Sequence, residues 1–600
     1  MDKLNQKKIE ELREKLQKQR PGFVKVGVSS CGIAAGANDV LDRFIALKKK
    51  NNLDIEIRKC GCAGMCYAEP LVEVSLDGRD SVTYKEVTPE LVEKIVKNHI
   101  ISGKIQEDYV YKTDTEKKQF KLILSNCGKV NPESINDYIS LGGYRAVEKV
   151  LIKENRQEVI DQLKISGLRG RGGGGFPTWL KWNFAKGVNA DKKYIICNGD
   201  EGDPGAYMDR SLLEGNPHAI IEGMIIAGFA VGADEGFFYI RAEYPLAISR
   251  VQKAIDAAID YGLLGENILD TGFNFNLQIR LGAGAFVCGE ETALIASIEG
   301  KRGYPSPRPP YPSVKGLWSK PTVINNVETL ANIPIIFDKG GDWFSKIGSQ
   351  NSKGTKVFAL TGKVKNSGLV EVPMGTTLGE IVYGIGGGVS GGKVKAIQTG
   401  GPSGGVIPKE YFDTPVNYES LQKLGSIMGS GGMIVMDEKD CMVDIAKFYM
   451  KFCVEEACGK CSPGRIGTYQ MLQYLKKISK GKANMNDLQL LEDIAYAVQR
   501  TALCGLGQTA PNPVVSTLKY FRDEYIAHIK EQRCPAGKCK DLAKYKIVED
   551  KCKKCGACIK VCPVEAISGD KDKGYKIDQK KCIQCGKCFQ VCSFDAIKKG

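Results

Sequence analysis

Hydrophobic and polar positions change period several times along the chain, and each change marks a candidate domain. Lys3 to Arg20 is charged throughout and predicts a helix, followed by an alternating strand at Val24 to Val28 and a second helix at Asn38 to Lys50. Further strands are expected around Asp54 to Arg58 and Val72 to Ser75, so residues 1–105 read as a small α/β unit. A charged hinge, Gln106 to Lys118, leads to a core over 119–340. Within it, Val159 to Ser166 reads as the polar end of a helix, and Ala219 to Ala233 is the most apolar stretch. That stretch carries Glu222 and is too short to span a membrane. Residues 350–425 switch to short β runs with Gly-rich turns, Val357 to Thr361, Leu369 to Val372 and Val394 to Thr399. Residues 435–540 return to helical patterning from Asp444 to about Lys530, and 541–600 are dominated by spaced cysteines. The expected fold class is multidomain, α/β and α+β.

Length agrees, because 600 residues exceed what one core organises at ~150 residues per domain. The charged first twenty residues contain no apolar signal segment, so a cytoplasmic protein is expected. In a reducing compartment, 22 cysteines at two- and three-residue intervals imply metal ligation, with iron–sulfur chemistry foremost. The net charge of +15 is uneven: Lys530 to Gly600 holds 17 lysines and one arginine against nine acidic residues. Those basic residues interleave with cysteines and few aromatics, which favours docking of an acidic redox partner over nucleic-acid binding. A merely solvated face is the other reading.

Gly167 to Trp182, G-L-R-G-R-G-G-G-G-F-P-T-W-L-K-W, concentrates the binding chemistry. Glycines let backbone N–H groups face a ligand, and Arg169, Arg171 and Lys181 add positive charge, so the stretch reads as a phosphate cradle. A helix end rather than a buried strand precedes it, which argues against a dinucleotide-fold fingerprint. Phe176-Pro177, Trp179 and Trp182 argue against a flexible linker.

This run resembles the FMN-binding loop in the family of complex I 51 kDa flavoproteins, which includes the diaphorase components of NAD-linked hydrogenases and formate dehydrogenases. Asn198 to Gly205, Cys288 to Thr292 and Lys320 to Thr329 are similar to the family's further nucleotide segments. The resemblance implies that Gly170, Arg171, Gly172, Lys181, Asn198, Asp200, Asn325 and Asn326 hold FMN, with Ser403 reaching the flavin. It also implies that Asp203, Glu290 and Glu291 face the NADH ribose and nicotinamide, and that Phe176, Phe184 and Tyr311 sandwich adenine. Carboxylates accept ribose hydroxyls and repel a 2'-phosphate, so these acids point to NADH, although Asp203 is shorter than the family's usual Glu. The flavin performs the hydride chemistry, and no catalytic side chain is expected. By the same resemblance, 1–105 is a thioredoxin-like 2Fe-2S domain, 350–425 a β-grasp module, 435–540 a helical cluster domain and 541–600 a two-cluster ferredoxin.

The tail is the most specific motif. Cys552, Cys555, Cys558 and Cys562 repeat thirty residues later as Cys582, Cys585, Cys588 and Cys592. In such runs the fourth cysteine binds the other cluster, giving two 4Fe-4S centres, Cys552/Cys555/Cys558/Cys592 and Cys582/Cys585/Cys588/Cys562. Cys458, Cys461 and Cys504 resemble the family's own 4Fe-4S site, but its third ligand position is Gly464. Either Cys453 is recruited or one iron lacks a protein thiolate. His528, Cys534 and Cys539 suit tetrahedral zinc, with Cys441 the leading fourth ligand and Cys453 the other. In the first domain Val26 stands where the 2Fe-2S pattern needs its first cysteine, so the expected ligands are Cys31, Cys60, Cys62 and Cys66, and a domain that has lost its cluster and serves only to dock is the other reading.

The order of domains resembles the β subunit of soluble, multimeric FeFe hydrogenases, including electron-bifurcating ones. That implies a hetero-oligomer with a hydrogenase catalytic subunit, a small thioredoxin-like 2Fe-2S subunit and ferredoxin as partners. A formate dehydrogenase diaphorase, a simple NAD(P)-reducing hydrogenase subunit and a relay scaffold without FMN are the alternatives.

Overall fold

A computed structural model describes residues 3–18, 22–76, 79–112, 115, 117–542, 544–579 and 581–599. The end of the expected helix at Arg20 and part of the hinge lie outside the described residues. The chain divides into two compact units, Met1–Ser390 with Gln398–Gly401 and Glu410–Val435, and Gly391–Ile397 with Pro402–Lys409 and Met436–Gly600.

In the first unit, after a helix at Gln6–Lys18, four strands take the order Glu56–Cys60, Phe23–Gly27, Val72–Ser75, Val82–Tyr84. The first pair is parallel and the others antiparallel. Alternation explains the sheet: Val24, Val26, Val72 and Val74 face one core with Val40 and Phe44 of the helix Ala37–Asn51.

The centre of this unit is a four-stranded parallel sheet in the order Asn276–Gly282, Glu235–Arg241, Tyr194–Gly199, Thr322–Asn326. Tyr194–Gly199, Glu235–Arg241 and Thr322–Asn326 are buried along most of their length, whereas the edge strand Asn276–Gly282 alternates polar and apolar residues and is more exposed. The apolar stretch at 219–233 forms most of the helix Pro217–Val231, which is buried almost all round. Glu222 is tolerated there because its carboxylate accepts bonds from Tyr138 Oη (2.6 Å), Tyr144 N (2.9 Å) and Ala146 N (3.0 Å). The strand Thr355–Gly362 runs antiparallel to Gly368–Pro373 and parallel to Gly432–Asp437.

The second unit holds residues 394–397 of the strand Val394–Thr399 and all of the strand Gly405–Pro408. Helices Met442–Glu456, Thr468–Ser479, Met485–Thr501, Asn512–Tyr520 and Arg522–Lys530 bury Met450, Leu475, Leu491 and Val514 between them. The tail consists of two ribbons, Tyr545–Ile547 with Ile597–Lys599 and Ile567–Asp570 with Gly574–Ile577. Among the described residues no helix is long and apolar enough to cross a membrane.

Candidate functional site

The order of the parallel sheet determines where a ligand sits. From Tyr194–Gly199 the chain builds outward to one side through Glu235–Arg241 and Asn276–Gly282, then returns to place Thr322–Asn326 on the other side. The connections therefore diverge between Tyr194–Gly199 and Thr322–Asn326, and a crevice opens at the carboxyl ends of these two strands. Asn198, Asn325 and Asn326 occupy those ends. Each is held rigidly: Asn198 Nδ2 donates to Gly289 O (2.9 Å), Trp182 Nε1 donates to Asn325 Oδ1 (2.8 Å), and Asn326 Nδ2 donates to Asp209 Oδ2 (2.6 Å).

The Gly-rich stretch joins two helices, Arg156–Ser166 and Thr178–Gly187, as its sequence context requires. Gly170 N donates to Phe176 O (2.8 Å) and Thr178 N to Leu168 O (3.1 Å), closing the neck of the loop. Gly172 then lies against Asn326, so that a Cβ there would stand 2.9 Å from the Asn326 Cβ. Gly173 (φ +140°) and Gly175 (φ +62°) adopt backbone angles that favour glycine. A glycine cradle at the carboxyl end of the sheet fits the phosphate and ring of a flavin mononucleotide. A distant segment supports it: Tyr418 Oη donates to Gly170 O (2.7 Å), and Arg169 Nη1 pairs with Glu419 (2.5 Å) beneath a stack on the Tyr418 ring.

Arg171 is tied into the protein itself. Its side chain is fully buried and donates to the carbonyls of Thr355 (3.0 Å), Arg169 (2.8 Å) and Lys353 (2.6 Å). The guanidinium fastens the loop to the following strand. Trp182, also fully buried, anchors the loop's other arm, and Trp179 packs on the core beneath the Lys164 ammonium. Asp200 and Gly289 approach each other, so that a Cβ on Gly289 would stand 3.3 Å from Asp200 O.

Phe176, Phe184 and Tyr311 converge on one cavity of about 580 Å³, with Lys181, Glu291 and Arg308 at its polar side. The three rings are 47%, 48% and 56% exposed, an arrangement that leaves their faces open for stacking. Arg308 is the residue that the sequence did not suggest. Its Nη1 pairs with Glu291 Oε1 (2.5 Å), while Lys181 Nζ stands 3.6 Å from Glu291 Oε2 and donates to Ile324 O (3.1 Å). The Glu290 carboxylate instead caps the helix Glu291–Ile298, accepting from Thr292 N and Ala293 N (both 3.0 Å). Asp203 does not line this cavity; it accepts from Ser430 Oγ (2.9 Å) and lies beneath Gly401. Burial pushes Asp203 up to about 6 and Glu201 up to about 7. Of the three acids assigned to the nucleotide, Glu291 alone faces the aromatic cavity, and two cations balance it.

In the second unit, the Ser403 carbonyl accepts from Asn512 Nδ2 (2.7 Å). Cys441, His528, Cys534 and Cys539 are all buried, with ligand atoms within 4.8 Å of one another. His528 Nδ1 lies 2.7 Å from Glu524 O, which aims Nε2 at Cys441 Sγ and Cys539 Sγ, each 3.4 Å away. Hydrogen bonds from Cys441 and Cys539 hold Cys534 far below a thiol's ordinary value, while those to Cys534 and Cys539 hold Cys441 far above it. Three thiols so close cannot all ionise without a cation between them. Cys453 stays outside this group, buried on its helix 4.0 Å from Pro402 O. Cys458 and Cys461 precede a turn at Pro463–Gly467, and Cys504 precedes the helix Gly505–Thr509. A Cβ on Gly464 would stand 3.1 Å from Cys461 Sγ.

The tail shows its repeat in three dimensions. Gly556 and Gly586 open equivalent helices, and a Cβ on either would stand 2.9 Å from the hydroxyl of Tyr575 or Tyr545 respectively. Cys558 and Cys588 are buried with those tyrosines, and Cys562 and Cys592 pack against the same small core. Ala566 N donates to Cys562 Sγ (3.2 Å) and Gln584 N to Cys582 Sγ (3.4 Å), the kind of bond that tunes a cluster thiolate.

In the first unit Cys31, Cys62 and Cys66 form a second group within 4.8 Å. Cys60 does not join it: its buried Sγ is directed at Val26 O (3.5 Å). Tyr207 lies beside Cys66, with Oη 3.7 Å from Sγ.

Comparison with known proteins agrees with this anatomy. The family model "Nuo51 FMN-binding domain" matches residues 163–335, "NADH-ubiquinone oxidoreductase-F iron-sulfur binding region" matches 444–528, and "4Fe-4S dicluster domain" matches 551–596. The chain is 57% identical over 460 residues to HndC, a component of the NADP-reducing hydrogenase of Solidesulfovibrio fructosivorans, covering 76% of this chain and 94% of that protein. It is 43% identical over 415 residues to an F-type component of the NADH-quinone oxidoreductase of Rhizobium meliloti (strain 1021), covering 69% of this chain and 99% of that protein. The fold matches a crystal structure of NAD+-reducing [NiFe]-hydrogenase in the H2-reduced state with a TM-score of 0.62 and 29% identity, over 87% of each chain. With a flavin cradle at the sheet's switch point and a two-cluster tail, the chain belongs to the FMN-binding, iron–sulfur NADH oxidoreductase F family.

Proposed function

We propose that the chain is the nucleotide-oxidising subunit of a hydrogenase complex. In that role it exchanges hydride between NAD(P)(H) and FMN and passes single electrons through iron–sulfur clusters to a hydrogenase subunit and to ferredoxin, by flavin-based bifurcation. The observation that carries this reading is the 57% identity across 94% of a hydrogenase component, HndC. Bound FMN would supply the conversion between two-electron and one-electron chemistry.

The chain's own residues bind and orient. Gly170, Gly172 and the asparagines at the strand ends hold the flavin, and Phe176, Phe184 and Tyr311 stack the adenine end of the dinucleotide. Glu291 reads the ribose. With Arg308 and Lys181 bound to Glu291, the cavity presents both a hydroxyl acceptor and phosphate-binding cations. The pocket therefore admits either nucleotide, a revision of the NADH preference read from the carboxylates alone. We further assign zinc to Cys441, His528, Cys534 and Cys539, a 2Fe-2S cluster to a thioredoxin-like N-terminal domain, and a β-grasp module to 350–425. Cys458, Cys461 and Cys504 and the eight cysteines of the two tail runs hold three 4Fe-4S clusters, as their spacing indicates.

The test is hydrogen-dependent reduction of NAD+ and NADP+ by the complex purified anaerobically with its partners, with and without oxidised ferredoxin. Nucleotide reduction that requires ferredoxin supports bifurcation. Reduction without ferredoxin makes the complex a simple hydrogenase, and activity with formate but not hydrogen assigns the chain to a formate dehydrogenase.

A further inference from the structure

The N-terminal thiol group lacks one ligand. Cys31, Cys62 and Cys66 lie within 4.8 Å of one another, and Val26, where a fourth thiolate is expected, has its side chain in the hydrophobic core. Cys60 is turned away toward Val26 O. Two hydroxyls lie beside these thiols, Ser29 Oγ 3.2 Å from Cys31 Sγ and Tyr207 Oη 3.7 Å from Cys66 Sγ, and the one carboxylate beside them among the described residues is that of Glu69. Glu69 Oε1 stands 3.8 Å from Cys31 Sγ, and its other oxygen accepts from Leu71 N (3.0 Å). That backbone bond leaves Oε1 on the thiol side.

The carboxylate also lies against the loop from which the missing cysteine would reach. A Cβ on Gly27, next to Val26, would stand 3.4 Å from Glu69 Oε2, and one on Gly32 would stand 3.3 Å from the same atom. Glu69 is 9% exposed, and among the described residues no cation pairs with it. Buried carboxylates are costly unless paired or bound to a metal, and here the neighbours are thiols rather than cations.

We propose that Glu69 is the fourth protein ligand of the N-terminal 2Fe-2S cluster, completing a three-cysteine, one-carboxylate set with Cys31, Cys62 and Cys66. Glu69 stands beside Cys31, whereas the side chain at position 26 lies in the hydrophobic core. An oxygen ligand is harder than a thiolate and donates less charge, so the cluster differs spectroscopically from an all-cysteine one. This inference rests on the assignment of a 2Fe-2S cluster to the domain.

The test uses the full chain, reconstituted with iron and sulfide and reduced with dithionite, and its EPR spectrum at a temperature where the faster-relaxing 4Fe-4S centres are silent. FMN content serves as the check that each variant folds. Glu69→Gln is expected to lose the 2Fe-2S signal and the two irons of that cluster. Glu69→Cys is expected to keep the irons while changing the g values and strengthening the visible charge-transfer bands. Cys60→Ser is expected to change neither. Unchanged iron and signal in Glu69→Gln, or their loss in Cys60→Ser, would overturn the ligand assignment while leaving the cluster itself in place. A wild-type chain with no such signal, or with zinc in its place, would overturn the cluster assignment and this inference together.

Discussion

The tail and the N-terminal thiol site hold metal-binding residues in opposite ways. In 541–600 every expected ligand comes from two contiguous runs, and the thirty-residue repeat reappears as paired glycines, paired tyrosines and paired buried cysteines. In the first unit Cys31 comes from the helix Ser30–Ala34 and Cys62 and Cys66 from the segment after Glu56–Cys60, and the oxygens beside these thiols belong to Ser29, Tyr207 and Glu69. Contiguous ligands make a site readable from spacing, whereas assembled ligands make it depend on register and loop path. The quartet around His528 is intermediate, with three ligands within 528–539 and one, Cys441, 87 residues before His528 in sequence.

That contrast can be tested by removing single ligands. In the tail, Cys562→Ser is expected to damage the cluster of the second run rather than its own, with loss of that cluster's EPR signal. Damage confined to the first run would break the cross-ligated scheme. At the assembled quartet, His528→Ala is expected to lower bound zinc to near zero by mass spectrometry and to make 435–540 more sensitive to protease, since metal binding there is folding energy. Full zinc retention would remove His528 from the site.

Smaller effects are expected in the nucleotide cavity, where the ligand groups also come from distant segments. Glu291→Gln removes the charge that holds Arg308 and Lys181. The ratio of kcat/KM for NADPH over NADH is expected to rise roughly tenfold, equivalent to ~1.4 kcal/mol. An unchanged ratio would take Glu291 out of ribose recognition. The smallest effect concerns Asp203, whose folded value lies above its ordinary 3.8, near 6. The native state therefore holds the proton more tightly, and Asp203 contributes stability at low pH that is lost as pH rises through about 6. Comparing melting temperatures at pH 5 and pH 7, the wild type should lose ground to Asp203→Asn as pH rises.

The sequence made the fold class, the strand positions and the flavin loop readable because each depends on local pattern. The run Val394 to Thr399 is a strand with those ends, and the helix before Gly167 is present. The surroundings of Arg171 were not legible, because charge beside glycine resembles a phosphate ligand whatever the chain folds against it, and here the carbonyls of Arg169, Lys353 and Thr355 accept from the guanidinium. Cys60 was misread because proximity in sequence says nothing of side-chain direction at the end of a strand. Arg308 and Tyr418 carry no local motif, and they enter the site from a loop and from the start of the helix Tyr418–Lys423, both later in the chain.

The most direct measurement is of the purified chain itself: its flavin content, together with the reduction of an artificial acceptor by NADH and by NADPH. Stoichiometric FMN and turnover with at least one nucleotide are expected, both lost together when the cradle is blocked by Gly172→Leu. A folded, iron-loaded chain without flavin or turnover would instead be a relay scaffold, and the hydride-exchanging role would fall.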